Sequence, residues 1–321
     1  MLAFTANITL PIFIIVFLGW YLRRIQWISA DFIQTGSKLV FNLALPALLF
    51  SKIVVTDLSQ VLQGDQVIFA LAATLAGFVL VWVQGRKWLA QPEVRGVFVQ
   101  GAFRGNMGII GLALCANLYG DEGLAVGSIL LAFLTLQYNI LSVYALTAPF
   151  YSTSNTTAGL PSGALRWVNV LKDIAKNPLI LMILAALTVN LTSLPVPGIV
   201  LKSGEYFSNL TLPLALLCVG GSINLKALRR SSHPALWAAA HKLILLPTLM
   251  TLAAWLYGFE GIALGTLFAM FASPTATASF VMAKAMRGDG DLAANIIALT
   301  TVLSLFSVSA GIFILKVLNV A

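Results

Sequence analysis

Charge is scarce in this chain. Only 9% of its 321 residues are Asp, Glu, Lys or Arg, against roughly 25% in an ordinary soluble domain, while 59% are apolar. A mean hydropathy of +0.94 is more greasy surface than one compact core can hide, which excludes a soluble globular protein. Cysteine is scarce too: Cys115 and Cys218 both sit inside apolar runs, so a disulfide-stapled secreted scaffold is excluded and the pair reads as small buried hydrophobes. There is no low-complexity tract, and hence no case for disorder or a collagen-like fibre. No phosphate loop ending in Gly-Lys-Ser or Gly-Lys-Thr is present, which argues against ATP hydrolysis. No Asp or Glu lies deep in an apolar run, so a paired-aspartate cation exchanger and an Asp-rich, metal-dependent prenyl-transfer enzyme both lack their carboxylates. Asp289 and Asp291 form a loop pair at a helix start, which reads as N-capping. Neither a metal nor a cofactor is expected.

The solvent for most of this chain is therefore lipid. Apolar runs of about 20 residues cross a ~30 Å hydrocarbon layer, and ten can be marked off: 5–22, 36–54, 65–83, 96–117, 123–146, 177–193, 205–223, 235–257, 261–284 and 292–315. The first is expected to be a true span and not a signal peptide, because Arg23 and Arg24 follow the apolar stretch instead of preceding it. Of the 19 Lys and Arg, fourteen fall in the loops after odd-numbered spans or within a few residues of them, and Lys52 and Lys202 alone belong in this way to the even ones. Basic residues gather on the cytoplasmic side, so both termini are expected outside. The same bias accounts for the net charge of +8 without nucleic acid, since no basic, aromatic-interleaved patch exists.

An internal repeat organises the spans. Asn42-Leu-Ala-Leu-Pro46 in span 2 recurs 167 residues later as Asn209-Leu-Thr-Leu-Pro213 in span 7; the same offset carries Pro11 onto Pro178 and Glu93 onto Glu260. At 168, Gly120-Asp121 meets Gly288-Asp289. Two five-helix units follow, residues 1–147 and 177–321, joined by a cytoplasmic linker over 148–176. An odd number of crossings turns the second unit upside down. The expected fold is an all-α integral membrane protein of ten transmembrane helices in two inverted five-helix repeats, a symmetry shared by many secondary transporters.

Helices 4 and 9 are expected to be broken. Span 4 holds Gly101, Gly105, Gly108 and Gly111 around Arg104-Gly105-Asn106-Met107, and span 9 holds Ser273-Pro274-Thr275-Ala-Thr277. Glycines permit close backbone approach, and a mid-membrane proline frees carbonyls that need other partners. The helix rise puts Asn106 roughly 15 Å and Ser273 about 18 Å into their spans, near the midplane. Two half-helix N-termini aimed at one point would attract an anion. Asn42 and Asn209 each precede a proline by four residues, and either repair the backbone or face the site. Gln137, Tyr138 and Asn139 form the densest polar cluster outside the breaks. Arg104 and Lys242 either snorkel to the cytoplasmic face or meet an anionic substrate as charge-coupling groups.

These motifs resemble the auxin efflux carrier family, which includes plant PIN auxin exporters and bacterial dicarboxylate permeases. The likeness rests on Leu45-Pro46-Ala-Leu-Leu-Phe50, Arg104-Gly105-Asn106 with Gly111, Pro213-Leu-Ala-Leu216 with Gly220-Gly221, Lys242-Leu-Ile-Leu-Leu-Pro247 and Ser273-Pro274-Thr275. It implies scaffold and transport domains, elevator-like alternating access for organic anions, and a substrate site where helices 4 and 9 cross, with Asn106 at the crossover asparagine and Pro274 at the helix 9 proline. Gly105 stands where PIN proteins carry a second proline. The short 148–176 segment suggests a prokaryotic member in the inner membrane, with auxin itself an unsuitable substrate. Related folds pair through scaffold domains, which implies a homodimer. A mono- or dicarboxylate is the expected cargo. Uniport, proton symport and sodium symport leave no distinguishing mark. A channel or sensor without alternating access and a membrane-embedded enzyme are the rival readings.

Overall fold

A computed structural model describes residues 2–55, 64–151, 178–192, 194–223 and 232–321, where the chain forms helices and no strand. In order they are α1 (Leu2–Arg24), α2 (Ala30–Leu39), α3 (Leu45–Val55), α4 (Gly64–Trp88), α5 (Pro92–Phe103), α6 (Leu112–Tyr151), α7 (Pro178–Leu191), α8 (Gly198–Gly221), α9 (His233–Ala240), α10 (Leu246–Tyr257), α11 (Gly261–Ala272), α12 (Ala278–Ala285) and α13 (Gly290–Val317). Among the described residues six helical stretches are long and apolar enough to cross a membrane.

Local chemistry explains where these helices start and how they survive their prolines. The Ser29 hydroxyl accepts from Phe32 N at 3.0 Å to cap α2, and the Asp289 carboxylate accepts from Leu292 N at 2.9 Å to cap α13, each satisfying an orphan donor of a first turn. Pro46 and Pro247 each follow a π turn, Val40–Ala44 and His241–Leu245, in which the N–H of Leu45 reaches back to Val40 O and that of Leu246 to His241 O. Widening the turn by one residue moves away the carbonyl that the proline ring would strike. The chain thus passes Pro46 without help from Asn42, whose carboxamide makes no hydrogen bond among the described residues.

Helix α6 is a hairpin. Gly120, at φ 61° and ψ −141°, reverses the chain, and glycines line the contact between its arms: a side chain on Gly127 would begin 3.2 Å from Leu112 and one on Gly108 3.7 Å from Leu131. The second arm runs to Tyr151, four residues into the linker expected from 148. Residues 152–177, with Arg166, Lys172 and Lys176, and residues 224–231, with Lys226, Arg229 and Arg230, lie outside the described ones. Helix α8 begins seven residues before its expected start, because Lys202 and Glu205 remain exposed on its surface and so do not interrupt it.

The helices sort into two sets. Helices α1, α2, α3, α7 and α8 pack chiefly on one another, as do α4, α5, α6 and α9–α13. Backbones in the first set nearly touch: a Cβ on Gly19 would strike the Leu217 carbonyl, and one on Gly220 the Val16 carbonyl, the close approach that small residues permit between membrane helices. The sets meet mainly along α1 with α13 and α6, and along α3 with α6. Few polar contacts join them there, among them Asn117 Nδ2 donating to Ile8 O at 2.8 Å and Ser309 Oγ donating to Thr9 Oγ1 at 3.0 Å.

Candidate functional site

Two breaks meet inside the second set. Helix α5 stops at Phe103 and helical winding resumes with the π turn Met107–Gly111; α11 stops at Ala272 and α12 begins at Ala278. Arg104 (φ −78°, ψ 109°) and Ser273 (φ −58°, ψ 135°) are extended. Pro274 imposes this on Ser273 by clashing with a helical predecessor. The two extended stretches pair: Asn106 N donates to Pro274 O at 2.6 Å, Ala276 N donates to Arg104 O at 3.2 Å, and Gly105 faces Thr275 in an antiparallel bridge. Each broken helix thereby satisfies backbone groups that the other exposes, a requirement that is absolute where water is absent. Gly105 makes this possible, since a Cβ there would run into Ser273 Oγ and lie 3.1 Å from Lys242 Nζ.

Hydroxyls close the helix ends. Ser273 Oγ donates to Met270 O at 2.8 Å, and Thr275 Oγ1 donates across the crossing to Gly101 O at 2.6 Å. Thr275 N donates to Thr300 Oγ1 at 3.1 Å. These expected site residues therefore spend their donors on the protein. Thr277 is half-buried, Met107 is buried in the apolar core, and the buried Ser279 hydroxyl has no partner among the described residues. Asn106 is 5% exposed. Its carbonyl accepts from Ile110 N and Gly111 N at 3.1 and 3.3 Å, while its carboxamide makes no hydrogen bond among the described residues.

Two basic side chains are buried around the crossing. Arg104, 9% exposed, does not snorkel: Nη1 donates to Ser142 Oγ at 3.1 Å and to Met282 Sδ at 3.0 Å, and Nη2 donates to Asn139 Oδ1 at 3.0 Å. Lys242, 1% exposed, donates from Nζ to Phe271 O at 2.8 Å. All these acceptors are neutral. The one ion pair among the described residues is Lys52–Asp121, at 2.6 Å between a half-buried lysine and an exposed aspartate. Taking a charge out of water costs several kcal/mol when no counter-charge repays it. Arg104 at the end of α5 and Lys242 at the end of α11 meet the negative poles of two half-helices, which offsets part of that cost.

Of the remaining expected residues, Asn139 joins the site through Arg104. Gln137 ties α6 to α4, its Nε2 donating to Leu71 O at 2.8 Å, and its buried Oε1 has no partner among the described residues. Asn42 and Asn209 are exposed, with no hydrogen bond to the crossing. His241 is held between Trp237 O and Gln84 Oε1, each at 2.6 Å, within the helix packing. Ser142, Met282 and Thr300 escaped the sequence reading. Ser142 had a signal, three residues past Asn139 and so on the same helix face; the other two approach only through tertiary packing.

Residues 7–312 match a family described as Membrane transport protein. An "Uncharacterized transporter" of Methanothermobacter thermautotrophicus is 25% identical over 93% of this chain and 94% of its own. A protein of Rhizobium meliloti named "Putative malonate transporter" is 24% identical over 97% and 95%. The "Uncharacterized transporter MJ1031" of Methanocaldococcus jannaschii is 24% identical over 94% and 96%.

Proposed function

This chain belongs to the membrane transport protein family, the auxin efflux carrier type that its motifs resemble, and from that premise we propose that it is a secondary active transporter of a small organic anion, a mono- or dicarboxylate, by elevator-type alternating access. The observation that carries the reading is a crossing with two buried basic side chains and no carboxylate against either among the described residues. An anionic guest would supply the missing charge, with Arg104 and Lys242 balancing it. The Asn106 carboxamide would hydrogen-bond it, and Thr277 and the half-helix N-termini at Met107 and Ala278 would complete the cradle. Gly105, Ser273, Pro274 and Thr275 shape the backbone around it. The relative named for malonate favours a dicarboxylate.

Ten crossings in two inverted five-helix repeats, 1–147 and 177–321, form the proposed frame. In its support, partner choices recur when the units are exchanged: α1 packs on α8 as α7 packs on α3, α4 on α5 as α10 on α11, and α4 on α6 as α9 on α13. The antiparallel bridge between Gly105 and Thr275 fits oppositely directed breaks. The two helix sets supply a scaffold and a moving domain. Both termini would lie outside a prokaryotic inner membrane; a cytoplasm-dependent reporter fused after Ala321 should be inactive, and an active one contradicts this orientation.

Purified protein in liposomes should take up labelled malonate with saturation, and unlabelled malonate inside should accelerate entry. Flux that never saturates and shows no counterflow would make the protein a channel. Chemical conversion of malonate without movement would make it an enzyme.

A further inference from the structure

Lys52 runs against the loop bias of the basic residues, and it meets its partner across the boundary between the two helix sets. It lies in the last turn of α3, and its Nζ donates at 2.6 Å to Asp121 Oδ1, just past the Gly120 reversal of the α6 hairpin. Three further contacts between the sets gather at that end of the bundle: Asn117 with Ile8 O, Ser309 with Thr9, and the Lys316 ammonium 5.0 Å from the centre of the Phe4 ring. This is the outer end in the proposed orientation. The internal repeat supplies no second ion pair at the opposite end. The 167-residue counterpart of Lys52 is Val219, buried in α8. The 168-residue counterpart of Asp121 is Asp289, whose carboxylate caps its own helix by accepting from Leu292 N at 2.9 Å. Asp121 follows its glycine in the same way, yet is turned to the other set. An exposed ion pair biases an equilibrium by roughly two- to fivefold, enough to favour one arrangement and too little to trap it.

We propose that Lys52–Asp121 is a one-sided latch, which holds the two helix sets together at the outer end in the arrangement seen here and parts when the sets move. The inference rests on the reading of the sets as a scaffold and a moving domain. Its measured quantity is a distance between the sets without malonate present. A failed latch therefore leaves the carrier reading to be decided by uptake, and a protein that moved no malonate could still show the latch.

The test is a pulsed-EPR distance measurement on the full-length protein in liposomes, with nitroxides at Leu191→Cys on α7 and Leu256→Cys on α10, one on each set, both exposed and close to the ends of their helices. Cys115 and Cys218 are buried and leave the label to these positions. With Lys52 and Asp121 intact, one distance should dominate. Lys52→Met and Asp121→Asn should each raise the ratio of a second distance to the first by roughly two- to fivefold, and together should raise it no further, because either change alone already removes the pair. High salt should act likewise on the intact pair and leave the variants unmoved. Exchanging the charges, Lys52→Glu with Asp121→Lys, should return the original distribution. Unchanged distances in the single variants overturn the proposal even where the unfolding temperature falls, since a tie that only stabilises would behave so. Effects that add in the double variant overturn it as well.

Discussion

Asn106→Ala is expected to lower anion uptake about 10- to 100-fold while leaving the protein folded. A hydrogen bond to a charged group contributes about 1.5–3 kcal/mol, and each 1.4 kcal/mol is a factor of ten. Such a bond to substrate is all the carboxamide has to lose, because it makes none within the described protein, and the backbone contacts of Asn106 to Pro274, Ile110 and Gly111 survive the substitution. Loss of transport should therefore appear without a matching fall in unfolding temperature. Uptake of labelled malonate by liposomes carrying equal amounts of each protein is the measurement. Undiminished transport in the well-folded variant would remove Asn106 from the site.

Gly105→Val is expected to have the opposite signature, losing stability and transport together. The new Cβ would strike Ser273 Oγ, which is committed to Met270 O at 2.8 Å and cannot swing aside without orphaning that carbonyl. The remaining escape is to push the two extended stretches apart, which weakens the bonds from Asn106 N to Pro274 O and from Ala276 N to Arg104 O. Overpacking costs about 1–3 kcal/mol, and an unsatisfied backbone group in a dry site adds a comparable amount. A loss of roughly 3 kcal/mol corresponds to a fall on the order of 5–10 °C in unfolding temperature. A valine variant as stable as wild type would mean the crossing is looser than its contacts indicate.

The contrast between these residues is also the contrast between what could and could not be foreseen. Breaks at Gly105 and Pro274 were legible because glycine and proline act on their own backbone, whatever surrounds them. The fates of the nearby hydroxyls were not, since Thr275 turns to Gly101 O on the other broken helix and Ser273 to its own α11. Asn42 and Asn209, each four residues before a proline, were candidates alongside Asn106, yet of the three only Asn106 lies buried at the crossing. For Arg104 depth left two outcomes open, snorkelling or service at the site, and only packing excluded the first, because Ser142, Asn139 and Met282 hold the guanidinium inside.

By itself the amino-acid order determined the lipid solvent, the apolar stretches, the 167-residue echo and the points where helices must stop, all properties that act within a few residues or add up along a chain. Only the packed molecule decided that the two breaks pair through backbone hydrogen bonds, that the Lys242 side chain reaches them from outside both broken helices, and that the helices divide into two sets. Those outcomes depend on which surfaces approach within bonding distance. That is a matter of shape and close packing among groups far apart in sequence, and no local pattern encodes it.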